Sequence, residues 1–242
     1  MTSKWLQQSN SWHENKHRRG GKYLKDIVYG ANDGIITTFA VVAGVAGASL
    51  SPVVVVVIGL ANILADGFSM AVSNYLGVKS EIDFYQREKM VEKNEIKINP
   101  EREKREIRDI LSHKGYEGED LEKITALISK NENFWLDFMM HEELNFAPPA
   151  SYRPKRAALV TFLSFIVAGF LPILPYLILD ASREEMFKYA VAMTGVVLFT
   201  VGSLRSFFTR KKWHLAGLEM LFVGSVAAAI AYGAGFFLKG IS

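Results

Sequence analysis

The sequence predicts an all-α fold: a polytopic membrane protein of five transmembrane helices, with a cytoplasmic helical domain inserted between the second and the third. Three observations predict it. Hydrophobic residues make up 50% of the 242 residues before any of the 19 glycines is counted, more than a soluble domain ordinarily carries. The charged residues, 22% of the chain, are segregated from the apolar stretches, as membrane spans require. Five stretches, at 27–49, 52–78, 157–179, 186–204 and 215–238, are long and apolar enough to cross ~30 Å of hydrocarbon at ~1.5 Å of rise per helical residue.

Residues 1–26 form a basic N-terminal segment with six Lys and Arg and no apolar run, so no secretory signal peptide is expected there. Span two opens with Val53 to Ile58, which alone would read as a buried strand. Ile63, Leu64 and Met70 carry the apolar register past strand length and favour a membrane helix. Pro172 and Pro175 lie in span three, where a bilayer helix tolerates a kink. The connection after span three reads Asp-Ala-Ser-Arg-Glu-Glu, whereas the one after span four holds Arg205, Arg210, Lys211 and Lys212. Basic connections stay on the cytoplasmic side, so the N-terminus is expected in the cytoplasm and the C-terminus on the far side.

The same topology places residues 79–156 in the cytoplasm, between the paired spans of 27–78 and the three of 157–242. This insert holds 17 of the 25 acids and 15 of the 28 basic residues. Its periodicity predicts helices over Glu81 to Ile98, continuing span two, then Pro100 to Leu111, Leu121 to Ser129, and Phe134 to Phe146. Glu101 and Glu103 fall in a first turn, where the helix dipole favours acids. Gly115 and Gly118 act as breakers, and Pro148, Pro149 and Pro154 as the return hinge.

Composition narrows the chemistry. The net charge, 28 − 25 = +3, is too small and too mixed for a nucleic-acid binder. Cysteine is absent, which excludes disulfides, thiolate zinc and iron–sulfur ligation and leaves carboxylate, imidazole and thioether as metal ligands. No repeat of ~20–50 residues points to an inverted-repeat transporter or a solenoid.

Three acids fall inside spans: Asp33, Asp66 and Glu219. Each is costly in hydrocarbon and a functional candidate for that reason. Glu219, a turn inside span five, has a competing reading as an interfacial ion pair with Arg210 or Lys211. Asn62, Asp66 and Met70 are spaced i, i+4, with Ser69 and Ser73 alongside, and so form a polar stripe on one face of span two. A carboxylate one turn from a thioether suits a borderline divalent ion such as Fe²⁺, with Mn²⁺ the harder alternative. In the insert, Glu88, Glu92 and Glu95 share a face, Glu103 and Glu106 form an i, i+3 pair, and Met139 and Glu143 an i, i+4 pair next to Glu142. Those acids read either as metal ligands or as a solvated face neutralised by Lys89, Lys93, Lys104 and Arg105.

A family resemblance runs through these residues. The string Tyr-Gly-Ala-Asn-Asp-Gly-Ile-Ile-Thr-Thr-Phe-Ala-Val-Val-Ala-Gly-Val-Ala-Gly-Ala (29–48) resembles the first-helix signature of the vacuolar iron transporter family. Ser69-Met70, Asn74-Tyr75-Leu76, Lys79-Ser80-Glu81 and Trp135 to Met140 resemble its second helix and cytoplasmic domain. The resemblance covers the chain from about residue 25 onward. It implies a homodimer exchanging Fe²⁺, often also Mn²⁺, against protons, moving metal out of the cytosol and holding it in a cytoplasmic helical metal-binding domain. The family's ion-path Asp and Met fall on Asp33 and Met70. Its cytoplasmic glutamates fall on Glu92, Glu95, Glu103, Glu106 and Glu143, and its cytoplasmic Met on Met139. Where vacuolar members carry a second-helix glutamate stands Asn62, with Asp66 one turn further along.

The expected protein is therefore a divalent-metal/proton exchanger, not an enzyme. It has no prosthetic group, and Fe²⁺, Mn²⁺ or Zn²⁺ serve as cargo and domain-bound ion. The rival is a membrane-anchored metal-binding or ferroxidase-like protein, which a Glu-x-x-His pair would favour. Ile110 and Phe138 stand three residues before His113 and His141 instead. The host is expected to be a bacterial inner membrane, with a vacuolar membrane as the alternative. Small residues at Gly30, Gly34, Ala40, Gly44, Gly47 and Ala48 are expected to let the first spans of two subunits approach closely around a shared ion path.

Overall fold

The computed structural model describes residues 23–147, 153–209 and 212–239. Every regular element among them is helical: α1 (Leu24–Gly47), α2 (Pro52–Ile98), α3 (Pro100–His113), α4 (Gly118–Ser129), α5 (Glu132–Glu142), α6 (Pro154–Phe170), α7 (Leu174–Ile178), α8 (Arg183–Thr209) and α9 (Trp213–Leu238). Five stretches are long and apolar enough to cross a membrane, namely α1, α2, Pro154–Ile178, Arg183–Ser206 and α9. They coincide with the five expected from sequence, with shifted ends.

The shifted ends have local causes. At the start of α8, Ser182 and Glu185 form a capping box: the Ser182 amide and hydroxyl donate to Glu185 Oε2 at 3.0 and 2.7 Å. The helix therefore begins at Arg183, three residues before the expected 186. In span three a 3₁₀ turn at Leu171–Ile173 carries Pro172 and separates α6 from α7. Asn131 caps α5 by accepting from the amides of Asn133 and Phe134. That helix stops at Glu142 instead of reaching Phe146, because Asn145 takes a left-handed φ of 54° and the Leu144 amide closes back on the Met139 carbonyl. The expected hinge prolines Pro148 and Pro149 lie outside the described residues.

Two compact units partition the chain. One holds the residues through Tyr75 together with Pro154 onward, and the other is Leu76–Arg153, three residues earlier at each end than the expected 79–156. The first unit is organised around α1, which packs against α6, α8 and α9. Ile35, Val42 and Ala43 of α1 are fully buried there. The approach is close enough to need glycine: a Cβ on Gly30 or Gly34 would strike the α6 carbonyls of Thr161 and Phe165, and one on Gly47 the α9 carbonyl of Tyr232. Gly30, Gly34 and Gly47 thus serve helix packing inside the subunit, where the sequence suggested a contact between subunits. Helix α2 meets its neighbours through side chains, with Ile173 reaching Gly59 and Phe162 and Phe165 reaching Gly67.

The second unit has its own core. Ile96, Ile107, Leu111, Ile128, Trp135, Leu136, Met139 and Met140 are buried together, drawn from α2, α3, α4 and α5. Ion pairs staple its outside: Lys89 to Asp137 at 2.9 Å, Arg108 to Glu122 at 2.9 Å and Lys114 to Glu142 at 2.5 Å.

Candidate metal sites

Within the second unit, two groups of carboxylates converge. Glu92 and Glu95 from α2 meet Glu103 from α3, and Glu103 meets Glu106 of its own helix and Glu143 at the end of α5. In each group one carboxylate oxygen from every residue lies within 4.8 Å of the others. Helical geometry explains the presentation: i, i+3 spacing puts 92 with 95, and 103 with 106, on single faces, and the apolar core turns those faces together. Glu103 belongs to both groups and is fully buried; Glu92 is 3% exposed.

The lysines interleaved with these acids pair elsewhere. Lys89 goes to Asp137, Lys93 to Glu132 at 3.9 Å, and Lys104 to Glu101 at 2.7 Å. Among the described residues no ion pair engages Glu92, Glu95 or Glu103, while Arg102 holds Glu106 at 3.0 Å. Neither oxygen of Glu103 receives an N–H or hydroxyl hydrogen bond; its hydrogen-bonding neighbour is the Glu92 carboxyl. Uncompensated, such acids hold protons instead of charge. Burial, reinforced by the charges of Glu143, Glu103 and Glu95 and by the hydrogen bond with Glu103, pushes Glu92 up to about 8. Burial and Glu106 also raise Glu103. Glu143 is exposed as a residue, but its carboxyl turns toward the other acids, and burial and Glu106 raise it too. The arrangement can bind a hard or borderline dication in place of protons. Met139 is fully buried in the adjoining apolar core. Glu88, on the same face in sequence, stays outside both groups, 3.9 Å from Arg87.

The first unit carries the polar residues that the sequence singles out on α1 and α2. Asp33 and Asp66 are partly buried and interact electrostatically. Asn62 and Met70 are partly buried on the same α2 face, Ser69 and Ser73 exposed along its edge. Asn62 Nδ2 and Asn32 Oδ1 are buried with no hydrogen-bond partner. Sequence reasoning missed Asp26. It is 3% exposed and accepts from Asn74 Nδ2 at 2.9 Å, while the same amide donates to Thr161 Oγ1 at 2.7 Å. This tie joins α1, α2 and α6. The signal was present, since Asp26 precedes Asp33 by seven residues and shares its helix face, but it sat among lysines just ahead of the expected span. Glu219 pairs with Arg205 at 2.6 Å; Arg210 and Lys211, its expected partners, lie outside the described residues.

Comparison with known proteins identifies the family. The sequence profile of the VIT family matches residues 24–236. Vacuolar iron transporter 1 of Oryza sativa subsp. japonica is 34% identical over 233 residues, 96% of this chain and 92% of that protein. Vacuolar iron transporter 1 of Arabidopsis thaliana is 34% identical over 220 residues, 91% of this chain and 88% of that protein. The vacuolar iron transporter of Plasmodium falciparum (isolate 3D7) is 32% identical over 235 residues, covering 94% and 86%. With a profile match over most of its length and relatives collinear along nearly all of it, the chain belongs to the VIT family.

Proposed function

We propose that this protein carries Fe²⁺ out of the cytosol in exchange for protons, with Mn²⁺ as an alternative cargo. The observation that carries this reading is the Asp33–Asp66 pair, two carboxylates on neighbouring spans whose charges interact. Two such charges in hydrocarbon are costly, and a passing dication offsets both. A proton on either oxygen does part of the same work, so metal and proton compete for one set of ligands. Met70 adds a thioether that suits a borderline first-row ion, and Asn62 offers an amide where the vacuolar relatives' family carries a glutamate. The iron in the relatives' names supports iron as cargo.

Glu92, Glu95, Glu103, Glu106, Glu143 and Met139 form the capture site, raising the local concentration of metal ahead of transport. The basic N-terminal segment and the basic α8–α9 connection support a cytoplasmic side for both and for the acidic unit. Relatives named for the vacuole fit a vacuolar host membrane; the same chemistry would serve a bacterial inner membrane. Two copies assemble with the exposed Ser69–Ser73 edges of α2 facing across a two-fold axis, which brings the two polar stripes to one path.

The test is metal uptake into proteoliposomes by Asp33→Asn and Asp66→Asn. The amides are isosteric but lack the charge that offsets dehydration of the ion. Loss of a buried charge partner is worth ~2 kcal/mol or more, so uptake should fall at least about tenfold with the helical content unchanged. Wild-type uptake by both variants would refute the proposed path.

A further inference from the structure

Opposite the polar stripe, α2 forms a groove with α6. It has a volume of about 350 Å³ and is lined by Phe68, Ala71, Val72 and Tyr75 of α2 and by Lys155, Ala158, Leu159 and Phe162 of α6. Ala71 and Ala158 leave the gap; the larger apolar residues wall it. Phe68 and Tyr75 each lie two residues beyond Asp66 and Ser73, roughly 200° around the helix at ~100° per residue. The groove and the polar edge of α2 therefore face different neighbours.

A groove on a membrane span that is apolar along its length and cationic at its end has a specific complement. Lys155 is the single charged residue in the lining, no acid accompanies it, and among the described residues it makes no ion pair. It stands in the first turn of α6, where the helix dipole adds positive potential. Arg156 beside it is also exposed. Tyr75 is at the same end, an amphipathic ring suited to the boundary between hydrocarbon and headgroups. An acyl chain fits the apolar length, and an anionic headgroup meets the ammonium.

We propose that the α2–α6 groove is a binding site for an anionic glycerophospholipid, its acyl chain over Ala71 and Ala158 and its phosphate on Lys155. The bound lipid wedges α2 against α6 on the side away from Asp66, beside the Asp26–Asn74–Thr161 tie that joins the same two helices. Since α2 meets its neighbours through side chains, such a wedge steadies the helix that carries Asn62, Asp66 and Met70. The site depends on the spans lying in a bilayer and not on the identity of the transported ion.

Full-length protein reconstituted in vesicles of equal parts phosphatidylglycerol and phosphatidylcholine, then re-extracted, would be examined by native mass spectrometry for retained lipid. One basic residue at an anionic surface corresponds to roughly fivefold enrichment, so phosphatidylglycerol should be retained about fivefold over phosphatidylcholine. Lys155→Ala should abolish the preference, Ala158→Trp should fill the groove and lower the number of lipids retained, and Lys188→Ala, an exposed lysine on α8, should change neither. Absence of a preference in the wild type, persistence of either property in its own variant, or an equal loss in Lys188→Ala would overturn the proposal. So would dissociation of a dimer by Ala158→Trp, which would mean that the groove is covered by a second copy.

Discussion

Glu103 is fully buried and stands in both carboxylate groups, whereas Glu106 stands in one and is already held by Arg102. Glu103→Gln keeps the volume and removes the charge common to both. It should abolish the Mn²⁺ binding of both groups in the full-length protein, while Glu106→Gln should remove only one of the two. Isothermal titration of the two variants against wild type measures this; equal losses would mean that the groups are not separate sites. Spacing alone marked each acid as sharing a face with its neighbours in sequence. It could not distinguish Glu88 from Glu92, because which end of a helix face meets α3 is decided by the apolar core, not by the acids. Asp26 was hidden for a related reason: it is tied to Asn74, 48 residues away, and through Asn74 to Thr161, a further 87 residues along.

At the scale of elements, the acidic unit brings carboxyls from α2, α3 and the end of α5 into one place, and this makes its stability depend on pH. The shifts of Glu92, Glu103 and Glu143 are all upward, so the folded unit keeps protons that the unfolded chain has released. That stabilisation is fully present below the ordinary value of 4.5 and is lost as pH rises to about 8, the value for Glu92. A dication replaces the protons and should reverse the trend. Hydrogen exchange of the α3 and α5 amides, corrected for intrinsic rates, should therefore speed up over this range under chelator and slow down with Mn²⁺. Exchange independent of pH in the metal-free protein would contradict the assignment. The helices themselves were largely legible: α2 runs unbroken to Ile98 as its periodicity required, and Pro100 starts α3. Ends were not, where a side chain outweighed periodicity, as at the Ser182–Glu185 box and at Asn145.

For the whole molecule, the glycines of α1 teach the larger correction. A stripe of small residues signals close packing but carries no address, and here Gly30, Gly34 and Gly47 are used up against α6 and α9. The proposed two-fold assembly therefore rests on the exposed polar edge of α2. In this cysteine-free chain, Ser73→Cys should cross-link between subunits under mild oxidation in native membranes, and Gly44→Cys, facing Ala231 of its own subunit, should not. The reverse pattern would move the path off α2. The central claim is exchange of metal against protons through Asp33 and Asp66, and the measurement closest to it follows both ions at once. Proteoliposomes loaded with a pH dye and a metal indicator would be given Fe²⁺ under reducing conditions. Metal entry accompanied by interior alkalinisation, both abolished by Asp33→Asn, is the predicted result; metal entry with no change in interior pH, or alkalinisation that survives Asp33→Asn, would contradict it.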